Sequence, residues 1–564
     1  MYDNDVKQKI AEAVIRAVRE FFAEKLPSVV IPGKIDPSLQ YTKDKQHGDL
    51  TSNIAMRLAG AVKMPPAALS EGLRAQVESI VKAEGGSSYI GKVEAKSGFL
   101  NIWFSDRYYT ELLTAIKKDG AEYGRCYHGK GTKVNIEYVS ANPTGPLTIA
   151  HGRQAAIGDA LSRLLKHCGY DVTNEYYLND FGRQIRILGK STEIRYRNLC
   201  GKDDKLPEDS YEGEYIIDIA QEIKNKKGES LLAEGPDTDK FFREYAVENI
   251  LGTIKKDLDD FRVKFDVWTS QAGIEDRKEV EKILSLLEAR GFIYESEGAK
   301  WFKSTSFGDD KDRVVIKSDG SYTYLAPDMA YHSDKYSRGF DKLIDLLGPD
   351  HHGYIPRMKA AVQALGKKAD ALDILIVQLV TLMRNGEVVR MSTRKAEFVS
   401  LREIIDEIGT DVARFFFLMR RLDSHLDFDI EVAKKESADN PVFYIQYAHA
   451  RIRSIERFSA KKFLPLFFTK LNAALLTDKA ERDLICKLGE FPLAVRTSAD
   501  TLEPSTLITY LNELARVFHS FYTDCRVVSD DISRTKARLY LVECVRRVLA
   551  NGLGILNISL PDKM

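Results

Sequence analysis

His151 stands where a side chain could meet an anion. It closes the run EYVSANPTGPLTIAH and opens the run GRQAAIGDALSRLLKHCG. Ahead of it Val134, Ile136 and Tyr138 alternate with Asn135 and Glu137, a strand period. Pro143, Gly145 and Pro146 then forbid helix and force a turn. Behind it Ile157, Ala160, Leu161, Leu164, Leu165 and Cys168 recur at three- and four-residue steps, and Gly169 ends the helix. A second strand pattern, YDVTNEYYL, follows. A His carried to a helix N-terminus by a strand–turn–helix–strand unit points to an anion site. Asp350, His351 and His352 follow the apolar run at 343–347, which puts them at a strand's carboxyl end, where ligands bind in open parallel sheets. After Asn385-Gly386 comes a basic loop with Arg390, Ser392, Thr393, Arg394 and Lys395, able to close over phosphate charge.

These groups need a large frame. The 564 residues exceed one core and suggest about three domains. Hydrophobic content of 44% and charged content of 29% are those of a soluble globular protein. Lys+Arg and Asp+Glu balance at 83 each, which argues against a uniformly basic nucleic-acid binder yet allows a basic patch. Cys126, Cys168, Cys200, Cys486, Cys525 and Cys544 include no CxxC pair. No metal site is expected from that spacing, and the thiols read as packing residues in a reducing cytoplasm. The N-terminal run is amphipathic with no continuous apolar core, so it reads as no secretory signal, and no apolar stretch is long enough to span a membrane.

Residues 1–110 read as an α/β module and 119–131 as a polar linker. Residues 132–430 alternate strand and helix patterns, the mark of a parallel sheet covered by helices, with a polar insertion at about 201–240. From 436 to 564 helical periodicity dominates. Residues 441–564 hold 18 Lys/Arg against 13 Asp/Glu, and Arg451, Arg453 and Arg457 share one helix with Tyr444, Tyr447 and His449. Basic and aromatic side chains together suit unstacked RNA bases and phosphates, whereas a merely solvated basic helix would look much the same.

The run EYVSANPTGPLTIAHGRQ resembles the nucleotide-binding signature of class I aminoacyl-tRNA synthetases, and among these it is similar to the arginyl-tRNA synthetases. YLAPDMAYHSDKY, GPDHHGYIPRMKAA, VVRMSTRKAEFVSL and YIQYAHARIRSI follow in that family's order, and GDLTSNIAMRLA resembles its N-terminal module. The resemblance implies a Rossmann-like parallel-sheet catalytic domain, an α/β N-terminal module that touches tRNA and an all-helical anticodon-binding bundle. It implies ligation of L-arginine to its tRNA through an arginyl-adenylate, using ATP with Mg²⁺, by a monomer in the cytoplasm. Pro143, Gly145, Thr148, Ala150, His151, Asp350, His351 and Met391 fall on the ATP site, and His151, Arg390, Ser392, Arg394 and Lys395 on the phosphate chemistry. Glu137, Asn142, Tyr324 and Asp328 fall on the arginine-binding positions, with Gln184 a further candidate. Two carboxylates suit a guanidinium, whose five donors form a fixed, permanently charged fork. Tyr444, Tyr447, Arg451 and Arg453 are the expected tRNA contacts.

The chain departs from the family pattern at two places. Thr148 stands for the first His of the signature and Ala150 for its Gly, while Thr393 stands for the second Lys of the later signature. Thr148 can cap a helix but cannot carry positive charge. Two other readings therefore stand beside the ligase: a catalytically silent, RNA-binding paralogue, and a ligase for another amino acid. The absence of a Cys ligand cluster in the sequence argues against a thiol substrate.

Overall fold

The computed structural model describes residues 2–29, 35–42, 45–233, 235–389, 399–437, 439–463 and 471–564. Apolar residues at Val6, Ile10, Val14 and Val18 give helix α1 (Tyr2–Lys25) one buried face. With α2 (Ile54–Val62) and α3 (Pro66–Glu84) it accompanies an antiparallel sheet of β1 (Leu39–Tyr41), β2 (Leu50–Ser52), β3 (Ile90–Lys96) and β4 (Phe99–Phe104), ordered β1-β2-β4-β3. Helix α4 (Asp106–Asp119) follows. The segment read as a linker is packed: Tyr123 is buried and donates to the Leu488 carbonyl at 3.1 Å, and Asn551 donates to the carbonyls of Gly120 and Tyr123.

The central block is built on β5 (Lys133–Glu137), α5 (Ile149–His167), β6 (Asp171–Leu178), α6 (Arg183–Leu199), α7 (Glu214–Lys227), α8 (Pro236–Asp260), β7 (Val267–Ser270), α9 (Gln271–Asp276) and α10 (Glu279–Ala289). A small antiparallel sheet comes next, of β8 (Ile293–Ser296), β9 (Ala299–Phe302) and β10 (Arg313–Ile316). Helix α11 (Leu325–Ser337), β11 (Lys342–Leu347), α12 (Ile355–Ala364) and β12 (Leu372–Ile376) complete the block. Five strands form one parallel sheet in the order β12-β11-β5-β6-β7. The chain reverses direction of winding between β5 and β11, which opens a crevice at their carboxyl ends. This is a Rossmann-like fold. Within the polar stretch at 201–240, α7 buries Ile216, Ile219, Ala220 and Ile223. Tyr215 donates to the Thr144 carbonyl at 2.7 Å, so this segment buttresses the turn before α5.

Strands β13 (Val380–Arg384), β14 (Glu387–Val388) and β15 (Leu426–Asp429) form a third small sheet, with α13 (Leu401–Ile408), α14 (Thr410–Leu418) and α15 (Ile430–Ala433) around it. The chain ends in a helical domain: α16 (Pro441–Phe463), α17 (Lys479–Gly489), α18 (Phe491–Asp500), α19 (Pro504–Asp524) and α20 (Ile532–Ile555). No helix of the structure is long and apolar enough to cross a membrane among the described residues.

Candidate active site

The crevice is lined from the sheet outward. Register places Glu137 of β5 beside Asp345 of β11 on one side and Glu175 of β6 on the other. Three carboxylates in one row would repel one another without partners. Helix α11 and its C-cap supply the partners, because Tyr331, His332, Lys335 and Arg338 lie at steps of one or three residues along one side. Lys335 Nζ lies 2.6 Å from Glu137 Oε2 and 3.0 Å from Asp345 Oδ1, fully buried. Glu175 accepts from Tyr331 at 2.9 Å, Thr269 at 2.6 Å and Asn135 at 2.6 Å, and pairs with Arg338. Immediately after β5, Val139 and Ser140 both take positive φ, 68° and 38°, a conformation costly for a β-branched residue. That turn aims Ser140 Oγ at Glu137 Oε1, 3.0 Å away.

His332 fixes the charge of this floor. Its Nε2 lies 2.8 Å from Asp345 Oδ2 and its Nδ1 2.8 Å from the Asp328 carbonyl. Both partners accept only, so both ring nitrogens must carry protons. Burial opposes that charge, but Asp345 outweighs it and raises the His332 pKa. Burial likewise opposes the charge on Lys335, and Asp345 and Glu137 raise it above the usual lysine range. Asp345, despite burial, is held well below the carboxylate range by Lys335 and His332. Asp328 is the exception. Enclosure by protein pushes its carboxyl up to about 6, a hydrogen bond from Tyr354 lowers it only in part, and Glu137 and Asp345 add to the rise.

The cavity over this floor has a volume of about 590 Å³. Of the expected ligand residues, Glu137, Asn142, Tyr324, Asp328, Ala150, His151, Asp350 and His351 line it. Tyr324 is 90% exposed at the mouth. Asn142 donates to Gln184 Oε1 at 2.8 Å, and Gln184 itself is not among the lining residues. Pro143, Gly145 and Thr148 also lie off the lining: they shape the turn, with Gly145 packed against Tyr215. Asp350 and His351 sit at the rim in a 3₁₀ turn, largely exposed. Lys335, Asp345, His332 and Tyr354 were missed by sequence reasoning, although the polar spacing along 328–338 is a readable signal.

Thr148 is the N-cap of α5, and its backbone N–H donates to His151 Nδ1 at 3.1 Å. Nδ1 is thus the acceptor, and Nε2 carries the proton. Burial lowers the His151 pKa to about 4, so the ring is neutral at pH 7. Ile149 donates to the Val399 carbonyl at 3.2 Å and Leu401 to the Leu147 carbonyl at 2.8 Å. The segment that follows the basic loop is therefore pinned beside the helix N-terminus. Arg390, Met391, Ser392, Arg394 and Lys395 lie outside the described residues.

A second cavity, of about 790 Å³, opens in the helical domain. Tyr447 and Arg451 line it with Arg457, Phe458, Tyr522 and Arg526. The Arg451 guanidinium sits 4.9 Å from the Tyr447 ring centre and 4.4 Å from that of Tyr522. Tyr444 packs on His519 instead, and Arg453 is tied to Asp562 at 2.9 Å and Glu456 at 2.7 Å, so neither joins that surface.

The chain matches three family models: tRNA synthetases class I (R), catalytic domain, over residues 113–418; arginyl tRNA synthetase N terminal domain, over 4–104; and DALR anticodon binding domain, over 445–564. It is 44% identical over 563 residues to an arginine–tRNA ligase of Syntrophotalea carbinolica, covering 99% of this chain and 100% of that one. It is 45% identical over 563 residues to the arginine–tRNA ligase of Anoxybacillus flavithermus, covering 99% and 98%. The solved arginyl-tRNA synthetase of Thermus thermophilus superposes with a TM-score of 0.72 at 21% identity, over 99% of this chain and 100% of that one, which shows the shared fold.

Proposed function

The chain belongs to the arginyl-tRNA synthetase family, and from that premise we propose how its own residues perform the ATP-dependent ligation of L-arginine to its tRNA. The observation that carries the reading is the charge of the cavity floor. Glu137, Asp328 and Asp345 bring three negative charges, while His332 and Lys335 bring two positive ones. One carboxylate is left without a cation, and it is Asp328, whose carboxyl is pushed up to about 6 chiefly by burial, with Glu137 and Asp345 adding to the rise. A guanidinium cancels it, and its fork allows a paired contact with a carboxylate. A neutral side chain of the same shape leaves Asp328 either protonated or buried and unpaired, which is how a site rejects near-isosteres. Asn142 holds the substrate's α-amino or carboxylate end, and Tyr324 covers the mouth.

In activation the arginine carboxylate oxygen bonds to the α-phosphorus of ATP and the bond to the bridging α–β oxygen breaks, releasing pyrophosphate. A hydroxyl of the terminal tRNA adenosine then attacks the arginyl carbonyl and AMP leaves. The protein's part is positioning and charge stabilisation. His151 donates its Nε2–H toward phosphate oxygen. The loop bearing Arg390, Ser392, Arg394 and Lys395 supplies cations, its far end anchored through Val399 and Leu401 next to His151. Mg²⁺ bound with the nucleotide would offset phosphate charge. Asp350, an exposed carboxylate at the rim, fits the single protein contact such an ion takes. The helical-domain cavity with Tyr447 and Arg451 receives anticodon bases, and the N-terminal module touches the tRNA body. A monomer in a reducing cytoplasm completes the proposal, in keeping with six cysteines that form no disulfide among the described residues.

Aminoacylation of unfractionated tRNA with ATP·Mg²⁺ and each labelled amino acid in turn tests this reading. Arginine alone is expected to be charged. Charging of a different amino acid, or of none while tRNA still binds, overturns it.

A further inference from the structure

Far from the cavity, the carboxyl end of α5 meets residues 126–129. Cys126 Sγ, His128 Nδ1 and Cys168 Sγ all lie within 4.8 Å of one another, with Cys126 Sγ and His128 Nδ1 3.3 Å apart. Backbone bonds hold the two segments together: Cys126 N–H donates to the His167 carbonyl at 3.3 Å and Gly129 N–H to the Cys168 carbonyl at 3.1 Å. Gly169, at φ +88°, lets Tyr127 approach; a Cβ there would stand 3.1 Å from the Tyr127 Cα. The other ring nitrogen of His128, Nε2, is 3.0 Å from Asp500 Oδ1 of α18. An imidazole whose far nitrogen is held by a carboxylate is oriented as metal-ligating histidines are. Cys168 is buried, Cys126 half-buried and His128 exposed, so the cluster lies at the surface with one thiol set beneath it.

We propose that Cys126, His128 and Cys168 bind a thiophilic divalent cation of the zinc class, with water as the fourth ligand. Tetrahedral bonds of about 2.3 Å to sulfur and about 2.0 Å to nitrogen place such donors roughly 3.5–3.8 Å apart, close to the arrangement already present. Two thiolates and an imidazole select zinc or cobalt(II) over magnesium or calcium. The site is a brace and not a catalytic centre: Cys168 lies 17 residues along the chain from His151, about 25 Å at helical rise. It would tie the segment leaving the N-terminal module to α5 and, through Asp500, to the helical domain. The other close cluster among the described residues, Asp478, Glu481 and Cys525, is already occupied by Arg538, whose nitrogens lie 2.6 Å from both carboxylates.

The test is a cobalt(II) titration of the reduced, chelator-treated full chain. One equivalent is expected to bind with thiolate-to-metal charge-transfer and tetrahedral visible bands, to be displaced by zinc, and zinc is expected to raise Tm. Cys126→Ser and His128→Ala, both at accessible positions, should lose the bands while keeping the wild-type circular dichroism and aminoacylation rate. Asp500→Asn should weaken binding by about 10–100-fold. A wild-type protein without the bands overturns the proposal, including the case in which peptide mapping finds Cys126 and Cys168 joined as a disulfide. Bands that survive Cys126→Ser overturn it as well.

Discussion

In the proposed function, Asp328 is the residue on which amino-acid choice turns. Its carboxyl sits near pKa 6 in the free protein, and a bound guanidinium requires the ionised form. Protons and arginine therefore compete for one group. The arginine KM is expected to be flat above about pH 7 and to rise toward tenfold per unit as pH falls through 6, in steady-state charging kinetics. The ATP KM should not follow it. Asp328→Asn removes the acid limb of that profile and raises the arginine KM on the order of 10²–10³-fold, corresponding to about 2–5 kcal/mol for one side of a buried charge pair. A second residue, Thr148, stands where the family carries a His; its backbone N–H makes His151 Nδ1 an acceptor whatever the side chain, and its Oγ1 lies at the same 3.1 Å from that nitrogen. Thr148→Ala is thus expected to cost about 1 kcal/mol of stability through the lost cap, read in urea unfolding, with the activation rate changed only a few-fold.

At the scale of elements, α11 is the counter-ion helix for three strands. Lys335→Met leaves Glu137 without its buried cation and Asp345 with His332 alone, and destabilisation of about 3–5 kcal/mol is expected in urea unfolding. A variant as stable as the wild type would show that the floor charges are not coupled as described. The strand–turn–helix–strand unit around His151 was legible in the sequence because its periods are local. The parallel sheet followed from alternation of patterns along 132–430. The carboxylate row was not legible, because Glu137, Glu175 and Asp345 are brought side by side only by strand register across the switch between β5 and β11. The same reason hid Cys126, His128 and Cys168, whose donors come from two segments some forty residues apart. Polar composition concealed α7, since four buried residues suffice to seat it. The intramolecular partners of Tyr444 and Arg453, His519 and Asp562, come from α19 and the chain's end, so they could not be read from the residue types along α16.

Across the whole molecule, the two cavities belong to different domains, and in the proposed function a shared tRNA links them. Arg451→Ala removes the cation between Tyr447 and Tyr522 and is expected to raise the tRNA KM about tenfold, with the arginine KM unchanged. Arg453→Ala, which breaks an intramolecular pair, should affect tRNA affinity less. The central claim is that the floor around Asp328 carries one unbalanced negative charge and selects a cation of guanidinium shape. The measurement that tests it most directly is charging of the purified cognate tRNA at pH 7.5 with arginine and with citrulline, its uncharged near-isostere. A kcat/KM ratio on the order of 10³ or more in favour of arginine, collapsing in Asp328→Asn, is the predicted result. A wild-type ratio within tenfold, or one that Asp328→Asn leaves intact, would contradict the account.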